Sequence, residues 1–282
     1  MLGRILTRLI DAQAPWSEPL GAFVQGILKA ILPRVPWLKD LLHGTWLGHP
    51  LHAASTDLPI GVLGLAVLFD VLGLGVAATW SVGAAVVLLL LSALSGLADY
   101  TDTDTLARRR ATVHATVMVL ALLLAVASLI LRWPAPEIVM VVPGVLSAAG
   151  FGLLILGAFV GGDVVYALGN MVDRHAFRPR GGQWTGLDVT DIPEGELVRA
   201  KAGAQTLVLV RAGDRVLAMH DTCAHAACSL SKGRLVDGQV ECSCHGSRYR
   251  LSDGHVTRGP SVYDQPAYEV RRTADGWEAR RA

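Results

Sequence analysis

Hydrophobic positions follow two different patterns along this chain. Up to about residue 162 they form long, nearly unbroken runs, Leu58 to Ala78 (interrupted by Asp70), Val82 to Ala98, Val113 to Leu131 and Ile138 to Gly162. Each run falls in the range of roughly 17–25 residues that lets an α-helix cross a bilayer with its backbone bonded internally. The connections between them are short: Thr79 to Ser81, then Asp99 to Thr112 with Arg108, Arg109 and Arg110, then Arg132 to Glu137 with Pro134 and Pro136. A four-helix transmembrane bundle over residues 48–169 is predicted. Ahead of it, Leu2, Ile5, Leu6, Leu9 and Ile10 recur at helical spacing, and the run Leu20 to Leu32 is too short to span. Residues 1–47 are therefore expected to be an amphipathic membrane-surface segment, or helices packed on the neighbouring bundle.

The pattern changes at Asn170 to Gly182, where Arg, Pro and paired Gly mark a linker, residues 170–182. Beyond it come short β-prone runs, Thr206 to Val210, Arg215 to His220, Arg248 to Leu251, Tyr268 to Arg272 and Trp277 to Arg280. Turn signals such as Ala212-Gly213-Asp214, Ser252-Asp253-Gly254 and Ala274-Asp275-Gly276 separate them. The expected fold class is thus α+β multidomain, the transmembrane bundle being followed by a small antiparallel all-β domain over residues 183–282.

Composition agrees with two solvents: only 17% of residues are charged and the mean hydropathy is +0.43. A net charge of +1 without a basic stripe gives no electrostatic case for a nucleic-acid partner. Met1 to Ile10 carries Arg4 and Arg8, and no small-residue cleavage pattern follows an apolar core, so the N-terminus is expected to be retained. Four crossings put both ends of the chain on one side. Arg4, Arg8, Lys29, Arg34, Lys39, the arginine triplet, Arg174, Arg178 and Arg180 then share a side, with Arg132 opposite. The positive-inside rule places that side, and the C-terminal domain, in the cytoplasm of a multi-pass plasma-membrane protein.

All four cysteines, Cys223, Cys228, Cys242 and Cys244, fall within about 22 residues, which points to one covalent or metal site. Cys223-Ala-His225 and Cys242-Ser-Cys244-His245 form C-x-H and, after 16 residues, C-x-x-H. This pattern resembles the Rieske family over about Gln183 to Ala282. The resemblance implies a 2Fe-2S cluster, with Cys223 and Cys242 on one iron and His225 and His245 on the outer, solvent-facing iron. Neutral imidazoles in place of two thiolates reduce the negative charge on such a cluster, which implies a potential of about −150 to +300 mV. A tetrahedral zinc site is the alternative for two Cys and two His. It explains neither the additional cysteine pair nor the Gly-Ser-x-Tyr continuation after His245.

Within the family, the placing of Cys228 and Cys244 resembles the disulfide-containing respiratory, high-potential type, whereas soluble Rieske ferredoxins and oxygenase domains generally lack this pair. The resemblance implies a Cys228–Cys244 bridge; closing a loop of about 15 residues is worth roughly 3 kcal/mol in the chain-entropy picture. It also implies that the hydroxyls of Ser247 and Tyr249 donate hydrogen bonds to cluster or cysteine sulfur, raising the potential. Gly259-Pro260 resembles the loop that covers the cluster, although Ser261-Val262-Tyr263 departs from the usual continuation.

His49-Pro-Leu-His52 resembles the signature of a four-span membrane family without an assigned activity, over about His43 to Asp173. His49 and His52 at the start of the first span, His114 at the start of the third, and Asp99 and Asp163 at the ends of the second and fourth are expected at one membrane face. There the imidazoles could ligate a haem b or a metal ion, while Asp70 marks a proton or packing site. The expected function is a membrane-anchored one-electron carrier in a quinol- or haem-linked redox chain, with membrane lipid and a quinol, cytochrome or other redox subunit as partners. The alternatives are a ferredoxin-like donor to a separate oxygenase and a redox-sensing regulator. About 37 residues after His245 leave no room for a mononuclear-iron catalytic domain.

Overall fold

The computed structural model describes residues 2–177 and 181–282, without the side chain of Leu2. Arg178 and Arg180 of the charge count, within the expected linker, lie outside the described residues. The chain divides into two compact units: one runs to Leu42 and resumes over Leu51–Asn170, and the other joins His43–Pro50 to Met171–Ala282.

The first unit contains α1 (Leu2–Asp11), α2 (Ala14–Ile31), most of α3 (Pro36–His43), α4 (Leu51–Ser55), α5 (Asp57–Val71), α6 (Gly75–Thr101), α7 (Thr105–Arg132) and α8 (Val141–Gly162), the last running into a π turn over Asp163–Ala167. Four stretches are long and apolar enough to cross a membrane, Leu51–Val71, Gly75–Thr101, Thr105–Arg132 and Val141–Ala167. Leu63, Ala66, Val82, Ala85, Leu89, Ala121 and Leu154 are buried between them. Their small members let the helices approach closely, which matters where surrounding hydrocarbon removes the hydrophobic drive. Leucines such as Leu68, Leu91, Leu94 and Leu123 face outward.

Two expected connections fall elsewhere. The first turn is at Leu72 to Leu74, where Gly73 takes a left-handed φ of +75° and the Leu74 amide returns to the Phe69 carbonyl at 2.8 Å. Thr79 to Ser81 lie inside α6, and the Thr79 hydroxyl bonds the Pro136 carbonyl at 3.4 Å, which lets a polar residue sit within the helix. The connection expected over Asp99 to Thr112 contracts to Asp102, Thr103 and Asp104, because the arginine triplet is helical and its side chains are met by other helices. Arg110 pairs with Asp11 and Asp163, Arg109 with Asp11 and Glu18, and Arg108 donates to the Gln25 side chain. Gln25 is buried and in turn donates to the carbonyls of Tyr100, Thr101 and Thr103 at the end of α6. Through Gly21 and Gln25, α2 packs on α6 and α7.

At the other end of the bundle, Arg132 is fully buried and forms a fork with Asp70, both contacts at 2.6 Å. Its Nε donates to the Ser128 hydroxyl, which itself bonds the Pro143 carbonyl at 2.8 Å. The Arg132 guanidinium thus compensates the Asp70 charge.

The second unit has two antiparallel sheets. The larger is ordered β1 (Thr185–Gly186), β10 (Gly276–Arg281), β9 (Ala267–Thr273), β4 (Arg215–His220), β3 (Gln205–Ala212), β2 (Val198–Ala202). The smaller is ordered β5 (Arg234–Val236), β6 (Gln239–Glu241), β7 (Arg248–Arg250), β8 (Val256–Arg258). The five β-prone runs fall on β3, β4, β7, β9 and β10, and the three turn signals connect β3 to β4, β7 to β8 and β9 to β10. Val208, Val210, Met219, Leu230, Val240 and Tyr249 build a core beneath the two loops that carry the cysteines.

Removing the Asp70 charge leaves Arg132 buried without its partner, a loss of about 3–5 kcal/mol. Asp70→Asn is expected to lower the thermal unfolding temperature of the detergent-solubilised protein strongly, and the double change Asp70→Leu with Arg132→Leu to recover most of that loss.

Candidate metal centre

The cysteines and histidines of the two motifs sit on two loops built alike. The first joins β4 to a short turn at Leu230–Lys232, and the second joins β6 to β7. In the first, the Cys223 amide donates to the Cys228 carbonyl (2.7 Å) and the Ala227 amide to the Cys223 carbonyl (3.0 Å). In the second, the Cys242 amide donates to the Ser247 carbonyl (2.9 Å) and the Gly246 amide to the Cys242 carbonyl (3.0 Å). The residue that closes each turn is left-handed, Ala227 at φ +62° and Gly246 at φ +82°, so each loop doubles back within a few residues of its cysteine. A disulfide between Cys228 and Cys244 joins the loops.

Cys223 and Cys242 are buried, at 1% and 3% exposure. The hydrogen bond from the Cys242 thiol draws the Cys223 pKa below the ordinary thiol value against the effect of burial, helped by the Tyr249 hydroxyl and the amides of His225 and Ala226. Cys242 moves in the opposite direction, because it keeps the proton of its hydrogen bond to Cys223 and is itself buried. Burial holds the Tyr249 phenol protonated well above its usual range, so it donates to Cys223 Sγ at 3.2 Å. The rings of His225 and His245 are 5.0 Å apart and nearly perpendicular. Cys242 Sγ also lies within 4.8 Å of the sulfurs of Cys228 and Cys244, but those two form the bridge, which leaves two thiols and two imidazoles as donors. Such a donor set fits a 2Fe-2S centre bound through both sulfur and nitrogen.

The two imidazoles differ in exposure: His225 is only 4% exposed, whereas His245 is partly open. The segment at the start of this unit's longer stretch holds the first loop: Arg174 donates to the His225 carbonyl at 3.0 Å and His175 to the Thr222 carbonyl at 2.9 Å.

The residues that fix the loops in place carry little signal in the sequence. Gln265 is buried, accepts the Ala224 amide at 3.0 Å and donates to the carbonyls of His220 and Thr222, both at 2.6 Å. Asp221 accepts the Ser231 amide and the Ser229 hydroxyl, both at 2.7 Å. An acidic residue two places before Cys223 is the available clue for Asp221; Gln265 belongs to no motif. The oxygen of Ser247, a residue expected to donate, accepts the Ser261 amide at 3.0 Å, which ties the Gly259-Pro260 loop to the second cysteine loop.

In the membrane unit, His52 and His114 come together, their ring centroids 6.1 Å apart. Asp99 lies near the end of α6, and Asp163 is paired with Arg110. His49 belongs to the other unit, is exposed, and has its Nδ1 3.3 Å from the Pro50 carbonyl.

Comparison with known proteins divides the chain in the same way. Residues 185–269 match the Rieske 2Fe-2S domain, and residues 48–174 match a family described as predicted membrane protein (DUF2231). The anthranilate 1,2-dioxygenase ferredoxin subunit of Burkholderia cepacia is 32% identical over 90 residues, which is 32% of this chain and 83% of that protein. The biphenyl 2,3-dioxygenase ferredoxin component of Rhodococcus jostii is 29% identical over 85 residues, 30% of this chain and 79% of that one. Among solved structures, the ferredoxin of carbazole 1,9a-dioxygenase from Nocardioides aromaticivorans is 25% identical with a TM-score of 0.31, covering 37% of this chain and 98% of that one.

Replacing Gln265 by Ala removes the side-chain partner of the Ala224 amide and of the His220 carbonyl beside the first cysteine loop, while the Thr222 carbonyl keeps His175; a buried group left without a partner costs about 1–3 kcal/mol. Gln265→Ala is expected to lower the unfolding temperature and to speed bleaching of the visible absorbance of the 2Fe-2S centre on warming.

Proposed function

The chain belongs to the Rieske 2Fe-2S family, and from that premise we propose that it is a membrane-anchored one-electron carrier working in a quinol- or haem-linked redox chain. Cys223 and Cys242 would hold one iron, and His225 and His245 the other. The observation that carries this reading is the meeting of two buried thiols and two imidazoles on matched, bridged loops, in a chain that also contains four helices apolar enough to span a membrane. When bound, the cluster supplies reversible one-electron transfer. The protein's own contribution is to set its potential and its access. Tyr249 withdraws charge from Cys223 through its hydroxyl, and Ser247, whose oxygen already accepts an amide, keeps its own hydrogen to donate toward the site. The buried Pro260, Ser261 and Val262 exclude water from one side. The partly open His245 is the edge through which a partner would exchange electrons.

The Cys228–Cys244 bridge supports the disulfide-containing, respiratory type. A ferredoxin-like role toward a separate oxygenase is the second reading, favoured by the dioxygenase ferredoxins among the relatives. We place the Rieske domain on the cytoplasmic side of the plasma membrane, from the excess of Arg and Lys on that side of the spans. Cys244 is exposed, so on that side the bridge would meet cellular reductants, and its opening would serve a redox-sensing role. Functionally the segments are 1–47, 48–169, 170–182 and 183–282, as anchor, membrane domain, linker and electron-transfer domain.

EPR with redox titration on isolated membranes tests the proposal. A Rieske signal that appears on addition of quinol, with a midpoint well above zero, is expected; a strongly negative midpoint favours the oxygenase-donor reading. His245→Ala is expected to abolish the signal, and its survival would overturn the ligand set. Tyr249→Phe and Ser247→Ala are each expected to lower the midpoint by on the order of 60 mV, a tenfold change in a one-electron equilibrium.

A further inference from the structure

We propose that His52 and His114 are the two axial ligands of a b-type haem held within the four-helix membrane domain. The rings come from different spans, His52 in the first turn of Leu51–Val71 and His114 in the third turn of α7, and their planes cross at 80°. A metal bonded to two imidazole nitrogens at the usual ~2.0–2.1 Å sets the ring centroids about 6 Å apart. The separation of 6.1 Å matches that span.

Each ring is also held from behind by a backbone carbonyl. His52 Nδ1 lies 2.9 Å from the Ser92 carbonyl and His114 Nδ1 lies 2.8 Å from the Gly157 carbonyl. A carbonyl oxygen can only accept, so both rings carry their proton on Nδ1 and present a lone pair at Nε2. Among the described residues, neither Nε2 has a hydrogen-bond partner. A backbone carbonyl behind the ring is the usual support of a metal-bound histidine, because it fixes the tautomer and raises the basicity of the bonding nitrogen. Both rings lie on glycines of neighbouring helices. A Cβ added at Gly96 would come within 2.9 Å of the His52 ring, and one at Gly161 within 2.9 Å of the His114 ring. Any larger residue at these two positions would push the imidazoles from their places.

The number of donors selects the kind of centre. A bare zinc ion takes three or four protein ligands. The polar side chains beside His52 are the hydroxyls of Ser55 and Ser92, bonded to each other at 3.2 Å, and Asp163 is already paired with Arg110. Iron in a haem has four positions filled by the macrocycle and needs only two from the protein. Val117 and Met118 pack on Gly157, whose carbonyl His114 bonds, and the flexible Met118 can move to admit the ring edge.

The test uses the full chain, purified in mild detergent from cells supplied with the haem precursor 5-aminolevulinate. A pyridine haemochromogen assay is expected to give one haem b per chain, and the native reduced protein the absorption spectrum of six-coordinate low-spin iron. His52→Ala and His114→Ala should each lower haem content by more than about tenfold. Imidazole added to the His114→Gly protein should restore the low-spin spectrum, which a merely structural role for the ring would not allow. The Rieske EPR signal, carried by other residues, reports folding in the same samples and fails separately if the reading of the C-terminal domain is wrong. Protein with an intact Rieske signal but without haem, haem retained by both alanine variants, or a metal ion bound without porphyrin would each overturn the proposal.

Discussion

Two loops of a few residues bring two buried cysteines and two imidazoles together, and the rest of the C-terminal unit is arranged to make that possible. Neither loop has regular secondary structure to stiffen it. Each closes by the amide and carbonyl of its own cysteine, then turns back through a left-handed residue, so its shape is set locally before any contact with the other. What remains is the position of one loop against the other. The Cys228–Cys244 bridge, the Tyr249 hydroxyl on Cys223 and the Ser247 contact with the covering loop supply it.

The supports reach further back than the loops. Gln265 stands just before β9 and bonds backbone on both sides of Cys223, while Asp221 collects the turn that follows Cys228. These buried polar residues are engaged by neighbouring backbone and hydroxyls, and such networks rigidify a site when every member is satisfied. A cluster held on this scaffold changes charge with little need for the protein around it to rearrange.

The long apolar runs and the paired Cys-x-His and Cys-x-x-His motifs are legible in the sequence because each reflects a strong constraint, a hydrocarbon solvent in one case and metal chemistry in the other. Helix ends are less legible. Hydropathy does not distinguish Gly73 as a turn from Gly83 within a helix, since both are flanked by apolar residues. The arginine triplet carries two messages, and only its bearing on topology can be read; the carboxylates that meet it, Asp11, Glu18 and Asp163, are distant in sequence. The same holds for Gln265, whose three partners are main-chain atoms that no residue type announces. The burial of His225 is likewise hidden, because it goes with a segment, Arg174 and His175, that reads as linker.

Gln25 closes the end of a helix that is made much later. Its side chain bonds the carbonyls of Tyr100, Thr101 and Thr103, which lie 75 to 78 residues further along the chain. During synthesis α2 therefore emerges well before its partners. Its amide can complete these bonds only once α6 has been made, and it can receive Arg108 only once α7 has followed. A segment translated early is among the last to be locked in place.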